Sequence, residues 1–347
     1  MHIGINTVPA EGIPFPHHVI RYLSQIITPI RGEKNDLTFS CLHDAEYPAE
    51  MPGMPGIPVE RPAGGLQALL RRSGSSLESA IQQNGIDLVL SSIQAPCLKA
   101  AMPQILVALD LHPWERGGAN APGFKNTKRA CATARHIIAP TEHVRRRCLE
   151  LFEAPMEKII VAPPGVSPNL SKPTISVVEK PYIVMFFDPL TAPLLHTVRE
   201  AMEKRKDEFP QTQVIVGPTL PDEPDSWGPR VVRVEQCPDS HLAGLYREAD
   251  FFLYPAPDDG SGLRVLEAMA AGVPVLAAGS RGVMEVAGDA PIYFNGESLD
   301  AFFQSLKRIL SEEKHLRSKR IHTGTQIAAR FSWDKSMWKV LTTLKSG

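Results

Sequence analysis

The stretch 249–279, ADFFLYPAPDDGSGLRVLEAMAAGVPVLAAG, predicts two strands joined by a loop and a helix. Residues 250–254 form an apolar run that a proline ends, which is typical of a buried strand. Residues 263–271 are helix formers, and Gly272 stands where a helix-ending glycine is expected. Residues 273–277 form a second apolar run. The rest of the chain is organised around this unit.

One acid, Glu267, interrupts a predicted helix that is otherwise apolar almost all round and therefore buried. A buried carboxylate is costly unless it is bonded to a partner. Glu267 lies ~7.5 Å from the helix start at ~1.5 Å per residue, and its side chain leans back toward that start. Asp259 stands just before the helix. Both carboxylates are therefore expected to face one pocket at the helix N-terminus.

The same helix start offers unpaired N–H groups and the positive end of the helix dipole, which together favour an anion such as phosphate. Carboxylates in the pocket suit hydroxyl groups. A sugar nucleotide, which carries both phosphate and hydroxyls, would satisfy all of these groups. The alternative is structural: Glu267 caps its own helix or pairs with Arg264, three residues earlier.

A longer pattern surrounds the two acids. Asp259 is followed by seven residues, by Glu267 and then by AMAAGVPV, and the flanks are HLAGLYREADFFLYP (241–255) and RGVMEVAGDAPIYF (281–294). These segments resemble the carboxylate signature of family 4 glycosyltransferases and its surroundings. RACATARHIIAPTEHVRRRCLELFEAPMEKIIVAPPGV (129–166) is also similar to that family. The resemblance covers most of residues 105–335.

The resemblance implies the GT-B fold, an α/β architecture of two Rossmann-like domains that face a cleft. It implies a retaining enzyme of the hexosyltransferase type that moves a sugar from a nucleoside diphosphate sugar to an acceptor hydroxyl. The acceptor would be a glycan, a lipid, a lipid-linked glycan or a small molecule, as in polysaccharide biosynthesis. Members of the family generally need no metal or other cofactor.

The resemblance also implies roles for single residues. The first acid contacts the transferred sugar and the second the ribose, so the catalytic residues would be Asp259, Glu267 and, on the acceptor side, Asp110. The donor would be bound by Gly260, Ser261, Gly262, Leu263 and Arg264, with backbone N–H groups of 260–263 turned to the sugar and the diphosphate. Gly12 and His112 would line the acceptor side.

Two departures from the family bear on catalysis. The family usually places Arg and Lys after the first strand of the donor domain, where they hold the diphosphate; here no Arg or Lys occurs between Lys180 and Arg199. A family histidine is replaced by Leu109. Either a cation comes from elsewhere (Arg264, Arg281 or Lys125), or the protein is a non-catalytic nucleotide-sugar binder or partner subunit. A sugar-nucleotide epimerase or hydrolase on the same fold is a third alternative.

Short apolar strands alternate with helices along the chain, which predicts parallel sheets covered on both faces. We expect an acceptor domain at 1–165, a proline-rich linker at 166–181, a donor domain at 182–330, and a helix at 331–347 that returns to the first domain. Residues 48–65 hold five prolines and no periodicity, which predicts a long loop, a candidate lid or acceptor contact.

Composition excludes several classes of protein. The net charge of −1 gives no basic surface for nucleic acid. Five scattered cysteines without a CxxC pair indicate a reducing compartment and no zinc site. No apolar run approaches the ~20 residues of a membrane span, and the N-terminus predicts a strand rather than a signal peptide. We therefore expect a cytoplasmic protein. Arg145, Arg146 and Arg147 leave open a peripheral contact with a membrane surface.

Overall fold

The computed structural model describes residues 1–8, 17–32, 36–45, 51, 53–60, 76–97, 102–109, 111–172, 178–187, 191–217, 228, 230–235, 237–256 and 259–345. The chain divides into two compact units. The first comprises Met1–Pro163 and Asp334–Gly347, and the second comprises Pro164–Trp333. The chain therefore passes from one unit to the other twice.

The first unit is built on a seven-stranded parallel sheet. Its strands are β1 (His2–Asn6), β2 (Thr38–Asp44), β3 (Gly56–Val59), β4 (Leu88–Ser92), β5 (Gln104–Val107), β6 (His136–Ala139) and β7 (Ile159–Val161). They lie in the order β3-β2-β1-β4-β5-β6-β7. Its described helices are α1 (His17–Gly32), α2 (Ser76–Gln83), α3 (His112–Gly117), α4 (Phe124–Thr133) and α5 (Glu142–Phe152). The strand order reverses between β1 and β4.

The sequence pattern fails at two places in this unit. The loop predicted at 48–65 is wrong for Gly56–Val59, which forms β3 at the edge of the sheet. An edge strand tolerates Pro58, because only one side of it donates to the ladder. Helix α3 begins at His112, where no helix is predicted; it is six residues long and too short to show a period.

The second unit is built on a six-stranded parallel sheet. Its strands are β8 (Tyr182–Phe186), β9 (Thr212–Val216), β10 (Val231–Val234), β11 (Phe252–Tyr254), β12 (Val275–Ala278) and β13 (Ile292–Phe294). They lie in the order β10-β9-β8-β11-β12-β13. Its described helices are α6 (Ala192–Lys204), α7 (Asp239–Glu248), α8 (Leu263–Ala271), α9 (Arg281–Ala287), α10 (Leu299–Leu310) and α11 (Lys314–Ala328). The order reverses between β8 and β11.

Alternate residues of β8 enter two separate apolar cores. Tyr182, Val184 and Phe186 join one core with residues of α7, α8 and α9. Ile183 and Met185 join the other core with residues of α6 and α10. Since successive side chains of a strand point to opposite faces, helices cover both faces of this sheet, as the run of buried strands predicts.

The segment predicted as a linker is packed into the second unit wherever it is described. Residues 168–171 form a 3₁₀ turn, and Leu170 is fully buried in the core formed with α7 and α8. The last helix, α12 (Trp333–Lys345), lies almost wholly in the first unit. There Lys339 Nζ donates to the carbonyl of Val161 at 2.8 Å, and Ser336 donates to Pro163.

The five cysteines are free thiols that differ in burial. Cys41, Cys97, Cys131 and Cys148 are buried, whereas Cys237 is half-buried. Burial raises the pKa of Cys131 to about 12 and raises the pKa of Cys148 as well. The four buried thiols are therefore shielded from solvent, and those of Cys131 and Cys148 are also uncharged at pH 8, where only a thiolate reacts as a nucleophile.

We expect Ellman's reagent at pH 8 to modify one thiol of the native protein rapidly, at Cys237, and all five in guanidinium chloride. The absorbance of released thionitrobenzoate against time measures both numbers. Cys237→Ser should remove the rapid phase and leave the denatured count at four. More than one rapid thiol in the wild type would contradict the buried positions of the other cysteines.

Candidate functional site

The candidate site lies at the carboxyl ends of β8 and β11, where the strand order reverses. Ligands of open parallel sheets bind at this point, because the loops diverge there and leave a crevice. The chain leaves β11 at Tyr254 and enters α8 at Leu263, so the start of α8 lies at this end of the sheet. The predicted strand, loop, helix and strand are confirmed here.

Two glycines fix the ends of α8. Gly262, directly before the helix, has φ +64°, and a Cβ there would come within 2.3 Å of Val286 Cγ2. Gly272, directly after it, has φ +83° and donates to the carbonyls of Ala268 and Met269, which confirms the predicted helix-ending glycine. Both positions need the left-handed conformation that glycine adopts without strain.

The carboxylate of Asp259 is buried and accepts four hydrogen bonds from its own loop and strand. Oδ1 accepts from the backbone N–H of Ser261 at 2.7 Å and from Ser261 Oγ at 2.9 Å. Oδ2 accepts from the backbone N–H of Gly262 at 3.0 Å and from the hydroxyl of Tyr254 at 3.2 Å. Asp259 therefore shapes the turn that starts α8.

This geometry differs from the expectation that the loop presents its N–H groups to a ligand. The N–H groups of Ser261 and Gly262 are bonded to Asp259, and that of Leu263 donates to Ser261 Oγ at 3.3 Å. The side chain of Asp259 is short, and Asp259 lies two residues before the first of these donors, so its carboxylate reaches them directly. The loop satisfies these three groups internally.

Glu267 is buried within α8, as predicted, and is paired with Arg264. Arg264 Nη1 donates to Glu267 Oε2 at 3.0 Å, and the two side chains are 15% and 3% exposed. The guanidinium of Arg264 also lies over the ring of Phe186, with Cζ 4.0 Å from the ring centroid. The ion pair considered from the sequence is thus present, and it lies at the end of β8 where the strand order reverses.

Several residues that complete the site escaped the sequence analysis. Ser280 Oγ donates to the backbone carbonyl of Asp259 at 2.7 Å and accepts from Val283 N–H at 3.1 Å, which joins the loop to the start of α9. A Cβ at Gly282 would lie 2.5 Å from the carbonyl oxygen of Gly260, so α9 touches the loop backbone. A serine followed by a short helix is the only sequence signal for this support.

The acceptor-side predictions are only partly within the described structure. Asp110 and Gly12 lie outside the described residues. His112 is half-buried at the start of α3, in the first unit. The buried polar residue Asn6 ends β1, and the buried Ser91 is the last residue but one of β4, where that sheet reverses order. Ser91 Oγ has no hydrogen-bond partner among the described residues. Ligands of open parallel sheets commonly bind at the carboxyl ends of the strands at such a reversal point.

The arginine triplet of α5 is largely engaged in ion pairs. Arg147 donates to both carboxylate oxygens of Glu115, from Nε at 2.8 Å and from Nη2 at 2.7 Å, and also pairs with Glu150. Arg145 pairs with Glu142 at 3.0 Å. These pairs neutralise much of the positive charge that would attract a lipid surface. None of the helices within the described ranges is long and apolar enough to cross a membrane.

Within the same described ranges, no group of three His, Cys, Asp or Glu side chains is arranged to hold a metal ion. The side chains that the described site offers are two buried carboxylates, Asp259 and Glu267, and one arginine, Arg264. Carboxylates accept hydrogen bonds from hydroxyl groups, and a guanidinium binds phosphate or carboxylate.

Comparison with known proteins shows what the chain is similar to. Residues 192–312 match the family described as glycosyl transferases group 1. The chain is 32% identical over 108 residues to an O-antigen chain mannosyltransferase B of Escherichia coli. That alignment covers 31% of this chain and 28% of the relative. It is 26% identical over 232 residues to a D-inositol 3-phosphate glycosyltransferase of Nocardia farcinica. That alignment covers 59% of this chain and 51% of the relative. It spans about half the length, or less, of these curated relatives.

The solved structure of Anabaena Alr3699/HepE in complex with UDP-glucose is similar over 100% of both chains, with a TM-score of 0.76 and 18% sequence identity. At this identity the likeness shows the fold alone, and that fold is the predicted GT-B architecture of two parallel-sheet α/β domains. The match of 192–312 includes α8, with Glu267, and the loop before it, with Asp259. The similarity to group 1 glycosyltransferases that the sequence pattern indicates is thus confirmed for residues 192–312.

Proposed function

We propose that this protein is a retaining glycosyltransferase that moves a sugar from a nucleoside diphosphate sugar to an acceptor hydroxyl. The observation that carries the proposal is the pair of buried acids, Asp259 and Glu267, at the start of α8 within the segment that matches the family. Relatives named as mannosyltransferase and inositol-phosphate glycosyltransferase, and a structural neighbour solved with UDP-glucose, support it.

In the proposed site the nucleotide lies at the carboxyl ends of β8 and β11. Glu267 accepts hydrogen bonds from ribose hydroxyls. Asp259 shapes the loop and contacts the transferred sugar. The acceptor, a glycan or a lipid-linked hydroxyl, binds to the first unit on the side of Asp110, Gly12 and His112. Five free thiols favour a reducing compartment, so we propose that the reaction takes place in the cytoplasm. We also propose, from the family resemblance, that the reaction needs no metal.

Thermal unfolding in the presence of UDP, GDP, ADP, CDP and TDP tests the donor site. We expect one nucleotide to raise the melting temperature of the wild type, since a ligand at ~100 times its Kd adds ~2.7 kcal/mol to the free energy of unfolding. Glu267→Ala should abolish that rise. The selected base then defines the donor sugar nucleotides to assay for transfer, and NMR of the product reports whether the anomeric configuration is retained.

Glu312→Ala is the matched control. Glu312 is also a buried acid of the second unit paired with an arginine: its side chain is 5% exposed and accepts from Arg320 Nη2 at 2.7 Å. This variant should lose stability, because it removes the carboxylate partner of the Arg320 guanidinium, yet keep the full response to the nucleotide. If no nucleotide shifts the wild type, the transferase proposal falls, and the protein is then better explained as a partner subunit.

A further inference from the structure

Arg264 is packed on an aromatic ring at the point where the strand order of the second sheet reverses. Its guanidinium carbon lies 4.0 Å from the centroid of Phe186, the last residue of β8. Phe186 is itself fixed: its ring meets Phe252 edge-on at 6.0 Å, and its backbone carbonyl accepts from Thr191 Oγ1 at 2.8 Å. The ring is thus a rigid platform for the cation.

The hydrogen bonds of Arg264 are incomplete. One nitrogen, Nη1, donates to one oxygen of Glu267, although a guanidinium has five N–H donors and commonly binds a carboxylate through two of them. Nε is buried and has no hydrogen-bond partner among the described residues. A buried N–H without a partner is costly, so the observed contact is one that a better acceptor would replace.

Three backbone donors of the loop are already bonded within it. The N–H groups of 261–263 are bonded to Asp259 and Ser261, and Asp259 and Glu267 together bring two negative charges. An anion at the start of α8 therefore needs a positive charge from a side chain. The sequence offers no Arg or Lys between Lys180 and Arg199, whereas Arg264 already lies over the end of β8.

We propose that Arg264 is the phosphate-binding cation of this site, and that its ion pair with Glu267 is a resting contact. When the nucleotide enters, the guanidinium stays on Phe186 and turns its N–H groups to the diphosphate, while Glu267 is released to the ribose hydroxyls. The inference rests on the proposed function, and adds to it which side chain replaces the missing cations and how the charge of Glu267 is compensated before the nucleotide binds.

Affinities for a nucleoside and for its diphosphate separate this role from a structural one. We would measure the Kd of uridine and UDP, or of the matching pair for the base that thermal unfolding selects, by calorimetry. The Kd of uridine divided by the Kd of UDP gives the contribution of the phosphates to binding. In Arg264→Met this ratio should fall about 10- to 100-fold relative to the wild type, the loss expected for charge-assisted hydrogen bonds, while nucleoside binding stays unchanged or tightens.

Companion variants sharpen the test. Arg264→Lys keeps the charge without the planar group and should show an intermediate ratio, which also guards against a folding defect. Phe186→Leu should lower the ratio in the wild type but add nothing to Arg264→Met, because both act through the same contact. Arg320→Met is the matched control: Arg320 is 16% exposed and paired with Glu312, so its loss should leave the ratio unchanged.

Two results would overturn the proposal. If Arg264→Met weakens uridine and UDP equally, Arg264 only holds Glu267 in place. Arg281 is an exposed residue in the first turn of α9. If Arg281→Gln lowers the ratio and Arg264→Met does not, the cation is Arg281. A wild type that binds no nucleotide at all would be a different failure, because it removes the proposed function itself.

Discussion

Replacing Gly165 with alanine is expected to lower the free energy of unfolding by ~3 kcal/mol or more, at the upper end of the range for overpacked cores. Gly165 is buried, and a Cβ on it would lie 2.1 Å from the backbone nitrogen of Trp333 and 2.6 Å from the carbonyl carbon of Ser332. Backbone atoms cannot turn aside as the end of a side chain can. The first residues of the second unit would therefore separate from its last ones.

The contacts around Gly165 show what would be lost. Val166 N–H donates to the carbonyl of Phe331 at 3.3 Å, next to the points at which the chain enters and leaves the second unit. Thermal unfolding of the full chain should show a melting temperature roughly 6–12 °C lower.

Gly324→Ala is the control for Gly165→Ala. Gly324 lies inside α11, and its added Cβ would meet only side-chain atoms, the nearest being Met269 Cγ at 3.2 Å. The gain in helix propensity of ~1 kcal/mol should roughly offset that contact. Equal melting temperatures for Gly165→Ala and the wild type would show that the two segments do not pack as described.

Much of the fold could be predicted because buried parallel strands leave a clear pattern of apolar runs between helices. The strand at Gly56–Val59 could not, since an edge strand with a proline has neither an apolar run nor alternation. The segment around Leu170 was predicted as a linker because prolines surround it. A single residue, Leu170, packs into the core with α7 and α8. A hydrophobic period needs several apolar residues, so one buried leucine leaves no such pattern in the sequence.

The candidate site was also predictable only in part from the sequence. The burial of Glu267 and the helix-ending Gly272 followed from local spacing in the chain, which sequence records directly. The platform under Arg264 did not, because Phe186 lies 78 residues away in the chain (264 − 186) and meets it only through the pairing of β8 with β11. Nor did the internal bonds of Asp259, since an aspartate before a helix is equally suited to bind a ligand and to bind its own turn.

Asp259→Ala is therefore expected to cost both stability and nucleotide binding. The change removes the acceptor of four hydrogen bonds and leaves the N–H groups of Ser261 and Gly262 buried without partners. Bonds to a charged group are worth ~1.5–3 kcal/mol each and are not additive, so we expect a loss of about 3 kcal/mol in the free energy of unfolding. Urea unfolding of the full chain measures it, and the shift with UDP or the selected nucleotide should vanish.

Two further variants separate the turn from the ligand. Asp259→Asn keeps the shape and one acceptor oxygen but turns an amide toward N–H or O–H donors, so its loss of stability should be smaller than that of alanine. Ser298→Ala removes an ordinary cap, the acceptor for Ala301 N–H at the start of α10, and should cost ~1 kcal/mol without changing nucleotide binding. Many active-site residues behave in the opposite way, since removing a group held only for its ligand leaves stability unchanged or raises it. If Asp259→Ala abolished binding and kept or raised the melting temperature, Asp259 would serve the sugar alone, and the turn at the start of α8 would be held by its glycines.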